Sequence, residues 1–361
     1  MVEHAGDYEW RGEGEEAEVV LYAPDERAAG SAFERVLPFT RLPGVESPVY
    51  AAASPEGLGC IVVSTSHAAP DLASVPARGL LLVAGAALEN LGVSPEELMP
   101  LISRRLSEAR LPRLTGAGAR RICETGAIGA AEDGLIEEEE LALFGFLAGD
   151  ADALGRRAIS AGTRDWDLPG NVRAYTTGEI LNAGGAESLS LEPGTLALVV
   201  SAGAGDLGRL ALAGHRERLA GRGGDFDAKE NLPAAPAGTG EAADLMAAVG
   251  AAANFADGRA ALLTYTLRRA LGDVVGPLSL RAAWRIGGIE DRDGSLVHRS
   301  NLAATGDGET LVSGGGVAAG TGKMVGSVPP FGAPEDDGRH PWEEAGVLER
   351  WAELDPTEGR A

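Results

Sequence analysis

The chain has 361 residues, enough for one large domain or two ordinary ones with a substantial core. Its formal net charge is −23, and Lys229 and Lys323 are its only lysines. Such an acidic surface repels phosphate backbones, so the charge argues against RNA binding. No apolar stretch approaches the length of a membrane helix and no signal-peptide pattern is present, so we expect a cytoplasmic protein without membrane contact. Cys60 and Cys123 stand far apart and are expected to be buried thiols rather than a disulfide or zinc site.

The first half of the chain alternates strand-like and helix-like segments. AEVVLYA (17–23) and LGCIVVSTS (58–66) are predicted strands, whereas GLLLVAGAALENLG (79–92) fits a strand or a helix. A helix is expected to begin at Pro95 with Ser94 as its N-cap.

The second half continues this mixture. Residues 134–162 predict one or two helices in which the glutamate run forms a solvated face, and residues 240–272 predict a long helix or two in sequence. Two β-prone runs flanking DRDG predict a hairpin. Strands and helices follow one another without a regular βαβ alternation, so the predicted class is α+β.

A literal G-x-G-x-x-G, Gly203–Gly208, follows the apolar run LALVV and precedes a helical stretch. This order is typical of a dinucleotide-binding turn, which also needs an acidic residue at the end of a second strand about 20 residues later. Asp225 and Asp227 follow at suitable distances, but no strand precedes them. A dinucleotide-binding oxidoreductase that uses this turn is therefore kept as an alternative.

Several segments, in order from about residue 36 to 325, together resemble the RtcB family of RNA ligases. That family joins a 3′-phosphate or 2′,3′-cyclic phosphate end to a 5′-hydroxyl with GTP and manganese. The matching segments are LPFTRLPG, LASVPARGLLLV, LPGNVRAY, LEPGTLALVVSAGAGDLG, AAVGAAANFADGRAALLTYTLRRAL, WRIGGIEDRDGSLVHRSNLAA and ETLVSGGGVAAGTGKMVGS.

The resemblance implies an RtcB-like α+β fold, a single domain with mixed sheets and peripheral helices over residues 36–328. Residues 1–35 would be an N-terminal lead-in. Residues 329–361 would be an acidic, proline-containing tail in place of the family's nucleophile segment. The histidine of that segment has no counterpart, because His340 stands alone in GRHPW.

The family's metal-ligand positions fall on Val75, Arg78, Val172, Ser201 and Trp284. Valine and tryptophan offer no donor atom for manganese, an arginine repels the metal, and a serine binds it weakly. We therefore expect no metal, no catalytic residue and no GTP cofactor.

The same resemblance suggests an anion or nucleotide pocket where the metal site would have been. Three arginines can hold an anion through bidentate hydrogen bonds, or they can pair with Asp206 and Glu290. The pocket would be formed by Arg78, Asn171, Arg173, Arg285, Gly314, Gly315 and Gly316.

These observations lead to the hypothesis of a degenerate RtcB-like protein that binds a partner, for example a true RtcB ligase, or an anion. One alternative is a divergent but active GTP- and manganese-dependent ligase whose carboxylates and histidines come from new positions such as His67, Asp71 and Asp206. His298, in the family's hairpin position, is expected to be structural.

Overall fold

The computed structural model describes residues 2–6, 9–23, 25–54, 57–73, 75–87, 90, 95–109, 113–144, 147–166, 171–177, 195–221, 232–292, 294–301, 305–306, 309–312, 316–318, 324–327 and 348–354. These residues form an α+β structure with two large sheets. Two further sheets have two and four short strands.

The strands are β1 (Val2–Gly6), β2 (Glu9–Glu13), β3 (Glu18–Tyr22), β4 (Val49–Ser54), β5 (Gly57–Thr65), β6 (His67–Ala68), β7 (Ala77–Ala87), β8 (Asn171–Thr177), β9 (Thr195–Gly203), β10 (Ala235–Pro236), β11 (Leu278–Ile286), β12 (Gly288–Arg292), β13 (Ser295–Asn301), β14 (Thr305–Gly306), β15 (Glu309–Val312), β16 (Gly316–Ala318), β17 (Met324–Ser327) and β18 (Leu348–Leu354).

The α-helices are α1 (Glu26–Val36), α2 (Pro95–Glu108), α3 (Gly116–Thr125), α4 (Ala127–Glu132), α5 (Ala151–Leu154), α6 (Arg156–Asp165), α7 (Gly205–Gly221) and α8 (Gly240–Val275). Two 3-10 helices cover Leu37–Arg41 and Glu138–Leu143.

The first large sheet has seven strands in the order β1-β2-β3-β4-β5-β13-β12. Only β3 and β4 pair in parallel, and α1 connects them, as a crossover between parallel strands requires. Asp25 caps α1 by accepting a hydrogen bond from the Ala28 N–H at 2.8 Å. The strands β1 to β3, which lie within the predicted lead-in, belong to the same sheet as β4 and β5.

The second large sheet has five antiparallel strands in the order β11-β7-β9-β8-β18. Its strand β7 shows that the ambiguous segment 79–92 is a strand as far as Ala87, where Leu80 and Leu81 point to opposite faces and both are fully buried; most of the segment beyond Ala87 lies outside the described residues. A strand that is covered on both faces has a continuous run of apolar residues in its sequence. The periodicity of apolar residues alone does not distinguish such a strand from a buried helix.

The long helix α8 packs against one face of this sheet and lies in the interior. It forms one continuous helix, capped at Thr239, whose hydroxyl accepts from the Ala242 N–H at 3.3 Å. The prediction that the helices are peripheral is wrong for α8, because its alanine-rich surface is small enough to be enclosed on nearly all sides.

Other local predictions have mixed outcomes. The helix α2 begins at Pro95 as expected, while Ser94 lies outside the described residues. The hairpin around DRDG is confirmed by the pairing of β12 with β13. The glutamate run is exposed over residues 137–139 but forms a 3-10 helix, and Glu140 turns inward to contact Arg268. Within the described parts of the chain, no helix combines the length and apolar character needed to span a bilayer.

Candidate functional site

Most of the positions matched to the family's metal ligands lie side by side in the second sheet. One row of directly paired residues crosses four strands: Trp284 on β11, Gly79 on β7, Ser201 on β9 and Asn171 on β8. Arg78 and Val172 belong to the two neighbouring rows. Segments far apart in the sequence thus bring these positions to one place in the sheet.

The rows nevertheless divide these positions between the two faces of the sheet. Arg78 pairs with Arg285 on β11 and with Ala202 on β9, whereas Arg173 pairs with Val199. Because successive strand residues alternate in direction, this register places Arg78 and Arg285 on the face of the sheet that α8 covers. The register therefore pairs Arg78 directly with Arg285, whereas Arg173 belongs to a row that contains neither of them.

Arg78 is bound inside the protein by an aspartate that the sequence analysis did not identify. Its Nε donates to Asp257 Oδ1 at 2.6 Å and its Nη2 donates to Asp257 Oδ2 at 2.9 Å. Nη2 also donates to the Phe144 carbonyl at 2.9 Å, and the guanidinium lies 5.3 Å from the centroid of the Phe144 ring. Both charged side chains are only 2% exposed. Arg78 is therefore not available to an external anion, which corrects its assignment to an anion pocket.

Two neighbouring cations stabilise the ionised form of the Asp257 carboxyl. Burial raises the pKa of the Asp257 carboxyl, while the guanidiniums of Arg78 and Arg285 act in the opposite direction. A buried guanidinium requires an anionic acceptor, and the carboxylate of Asp257 provides it for Arg78. The partner of Arg78 is Asp257 rather than Asp206 or Glu290, the two acidic residues proposed from the sequence.

The residues near the vacated metal positions do not fit a manganese ion. Val75 packs in the apolar cluster formed by α3, α6, α7 and α8, and a Cβ added at Gly208 would lie 2.8 Å from its Cγ1. Ser201 is half-buried and offers only a hydroxyl. No group of three or more histidine, cysteine, aspartate or glutamate side chains within metal-binding reach occurs in the described residues.

Charged side chains of the protein itself bind the backbone of the glycine loop between β9 and α7. Gly205 has a φ of +56°, and a Cβ there would lie 2.9 Å from Asp165 Oδ2. That same oxygen accepts a hydrogen bond from the Asp206 N–H at 2.8 Å. Arg259 donates from Nη1 to the Gly203 carbonyl. The carboxylate of Asp165 thus occupies the N-terminal end of α7, where a dinucleotide would place its phosphates.

The strand before this loop has the wrong neighbours for a dinucleotide fold. β9 is antiparallel to both β7 and β8. A dinucleotide-binding turn sits at the carboxyl ends of parallel strands, so Gly203–Gly208 is a structural turn between a strand and a helix.

The residues suggested for a relocated ligase site make separate local contacts. His67 Nδ1 lies 2.9 Å from Ser66 Oγ, and Asp71 Oδ1 lies 3.2 Å from an Arg216 nitrogen. Asp206 pairs with Arg209 on its own helix. Burial raises the pKa of Asp71, and Arg216 opposes that shift.

His298 is fully buried and links two backbone segments by hydrogen bonds, as expected of a structural residue. Its Nε2 accepts from the Ala69 N–H at 3.0 Å and its Nδ1 donates to the Leu296 carbonyl at 3.1 Å. Burial lowers the pKa of His298 to about 4, so the ring is neutral at physiological pH. Cys123 is a buried free thiol whose pKa burial raises to about 12.

The remaining predicted residues are placed only in part. Gly314 and Gly315 lie outside the described residues, and Gly316 begins β16. Asn171 lies at the first residue of β8.

The sequence carried one overlooked signal for this site. Asp257 stands in AAANFADGRAA, where it and Arg259 are the only charged residues of an otherwise small and apolar run. A carboxylate in the middle of a buried helix requires a cation opposite it. No family model matches the chain, and no curated protein is detectably similar to it.

Proposed function

We propose that this chain is a non-catalytic, RtcB-like protein that acts by binding a protein partner. The observation that carries the proposal is the buried, bidentate ion pair of Arg78 with Asp257. At the position matched to a thiolate metal ligand, the chain has a cation whose charge is already neutralised internally.

The register of the second sheet supports the resemblance on which this proposal rests. Trp284 and Ser201 were matched to ligand positions from separate segments, and they fall in one paired row. Arg78 and Val172 fall in the rows beside it. The positions share one region of the sheet but not one face, because Ser201 and Arg78 lie in adjacent rows whose residues alternate in direction.

The chemistry of the same residues supports the absence of ligase activity. Manganese prefers carboxylate, imidazole and water ligands, and Val75 and Ser201 provide one apolar group and one hydroxyl. The engagement of Arg78 by Asp257 also favours a protein partner over a bound anion, because this guanidinium is only 2% exposed and its Nε and Nη2 donate to groups inside the protein.

The test is incubation of the purified chain with manganese and labelled GTP, followed by denaturing electrophoresis and a metal assay. An authentic RtcB ligase in the same buffer is the positive control, and a 3′-phosphate RNA with a 5′-hydroxyl RNA serves as the joining substrate. We expect neither a labelled chain nor a joined product from folded protein. A covalently labelled chain would overturn the proposal and would favour the divergent active ligase.

A further inference from the structure

One face of α6 carries arginines without acidic partners in a chain that has a large excess of acids. Arg156, Arg157, Ser160 and Arg164 are exposed, and we call these four residues the α6 basic surface. Among the described residues, no carboxylate forms an ion pair with its arginines, and Arg164 contacts only Ser160 Oγ at 3.4 Å. Elsewhere on the surface, arginines that do pair with carboxylates include Arg41, Arg105, Arg120, Arg121, Arg209 and Arg216.

Two of these arginines lie at a position where they lower the stability of α6. Arg156 and Arg157 occupy the first turn, which contains no acidic residue, and Gly155 provides no side-chain cap. Cations at this end of a helix oppose the macrodipole. The folding of α6 therefore gives no reason for the two arginines to be there.

The α6 basic surface is held rigidly by the core beneath it. Ala158 and Ile159 are buried, and a Cβ added at Gly162 would lie 2.6 Å from Leu207 Cδ1 and 3.2 Å from Phe255 Cζ. This close approach fixes α6 against α7 and α8. A rigid set of cations loses less freedom on binding than a set on a mobile loop.

The size of the surface and its surroundings restrict the ligand. Arg157 and Arg164 are seven residues apart, or about 10 Å along the helix. An extended peptide of three or four residues spans about the same distance. The exposed carboxylates of Asp150, at the N-cap of α5, and of Glu124, on α3, belong to the elements that adjoin α6, so a long polyanion would meet repulsion beyond the arginines.

We propose that the α6 basic surface binds a short acidic segment of a partner protein. This inference rests on the proposed function, because it names the surface and the chemistry through which partner binding takes place. Carboxylates of the segment pair with Arg156, Arg157 and Arg164, in forks of the kind that arginine forms with carboxylates.

The probe is a fluorescent hexaglutamate peptide, titrated with the full chain at about 50 mM salt, where exposed charges are weakly screened. The test variant is Arg156→Gln/Arg157→Gln/Arg164→Gln. The matched control is Arg27→Gln/Arg35→Gln/Arg113→Gln, which makes the same charge change at three exposed arginines that do not belong to α6. Unfolding midpoints of both variants verify that each is folded.

We expect the test variant to bind the peptide about tenfold more weakly, as the loss of three exposed ion pairs implies, and the control to remain within about twofold of the parent. Equal losses in the two variants, or no binding by the parent chain, would overturn the proposal. Tighter binding of an oligouridylate of equal charge would also overturn it, by identifying a nucleic-acid surface. GTP labelling is read separately, so a labelled chain contradicts the proposed function whatever the peptide does.

Discussion

Arg78 and Asp257 are joined by two parallel hydrogen bonds across 179 residues of sequence, in a place where neither side chain reaches water. Removal of one partner leaves the other charge buried and uncompensated, which typically costs about 3–5 kcal/mol. We therefore expect Arg78→Met to lower the free energy of unfolding by about that amount, measured by urea denaturation.

The double variant Arg78→Met/Asp257→Leu should recover part of this loss, because both members of the buried pair are removed together. A residual cost of about 1–3 kcal/mol is expected, since the Phe144 carbonyl loses its donor. The exposed pair of Arg105 with Asp273 is the control, where Arg105→Gln should cost less than about 1 kcal/mol. If the double variant were no more stable than Arg78→Met, the pair would not be the source of the loss.

His298 makes stability depend on pH in a defined window. Its folded pKa of about 4 lies below the ordinary value of about 6.5, so the unfolded chain takes up the proton first as pH falls. Its contribution is fully present above about pH 6.5 and decreases between about pH 6.5 and 4, by about 3 kcal/mol in total. We expect the stability–pH curve of His298→Gln to be flatter than that of the parent over this window.

The control for that experiment is His4→Gln, at an exposed histidine on β1. The change of slope caused by His298→Gln is compared with the change caused by this variant, which makes the same substitution at an exposed site. Equal slopes for the parent and His298→Gln would contradict the assignment of a buried, neutral imidazole.

Two glycines of α7 should respond to alanine in opposite directions. A Cβ at Gly208 would lie 2.8 Å from Val75 Cγ1, whereas nothing lies within 4 Å of one at Gly214. Gly214→Ala should stabilise the protein by up to about 1 kcal/mol through helix propensity. Gly208→Ala should destabilise it by about 1–3 kcal/mol through overpacking. Thermal unfolding distinguishes the two, and addition of Val75→Ala to Gly208→Ala should restore part of the loss.

The net charge of −23 predicts a strong effect of salt on stability. Repulsion among surface carboxylates opposes the compact state and is screened as the Debye length falls from about 10 Å at 0.1 M to about 3 Å at 1 M. We expect the unfolding midpoint to rise steeply with KCl up to about 1 M and then to level off. A rise that stayed linear far beyond that concentration would instead indicate exclusion of salt from the protein surface.

The sequence predicted the local elements better than the roles of charged residues. The start of α2, the hairpin of β12 with β13 and the α+β class follow from caps, turns and apolar periodicity, which act over a few residues. The partner of Arg78 did not follow, because an ion pair between β7 and α8 depends on how two distant elements pack. The role of Asp165 at the start of α7 was missed for the same reason.

The glycine motif illustrates a second limit. Its strand–turn–helix order was identified correctly, but the direction of the neighbouring strands was not encoded near Gly203–Gly208. Gly205 is explained by its positive φ and Gly208 by its contact with Val75, and neither reason involves a ligand. The likeness of this segment to a dinucleotide-binding turn therefore did not predict whether the neighbouring strands are parallel or antiparallel.

The order of strands in the first sheet has a consequence for synthesis on the ribosome. β5 pairs on one side with β4, its neighbour in sequence, and on the other with β13, which ends at Asn301. The second edge of β5 therefore remains open while most of the chain is translated, and it closes only after Ser295–Asn301 has left the exit tunnel. An unpaired edge in an incomplete chain is a site for wrong associations. Ribosome-bound chains that end before β13 should accordingly be the species most dependent on chaperones.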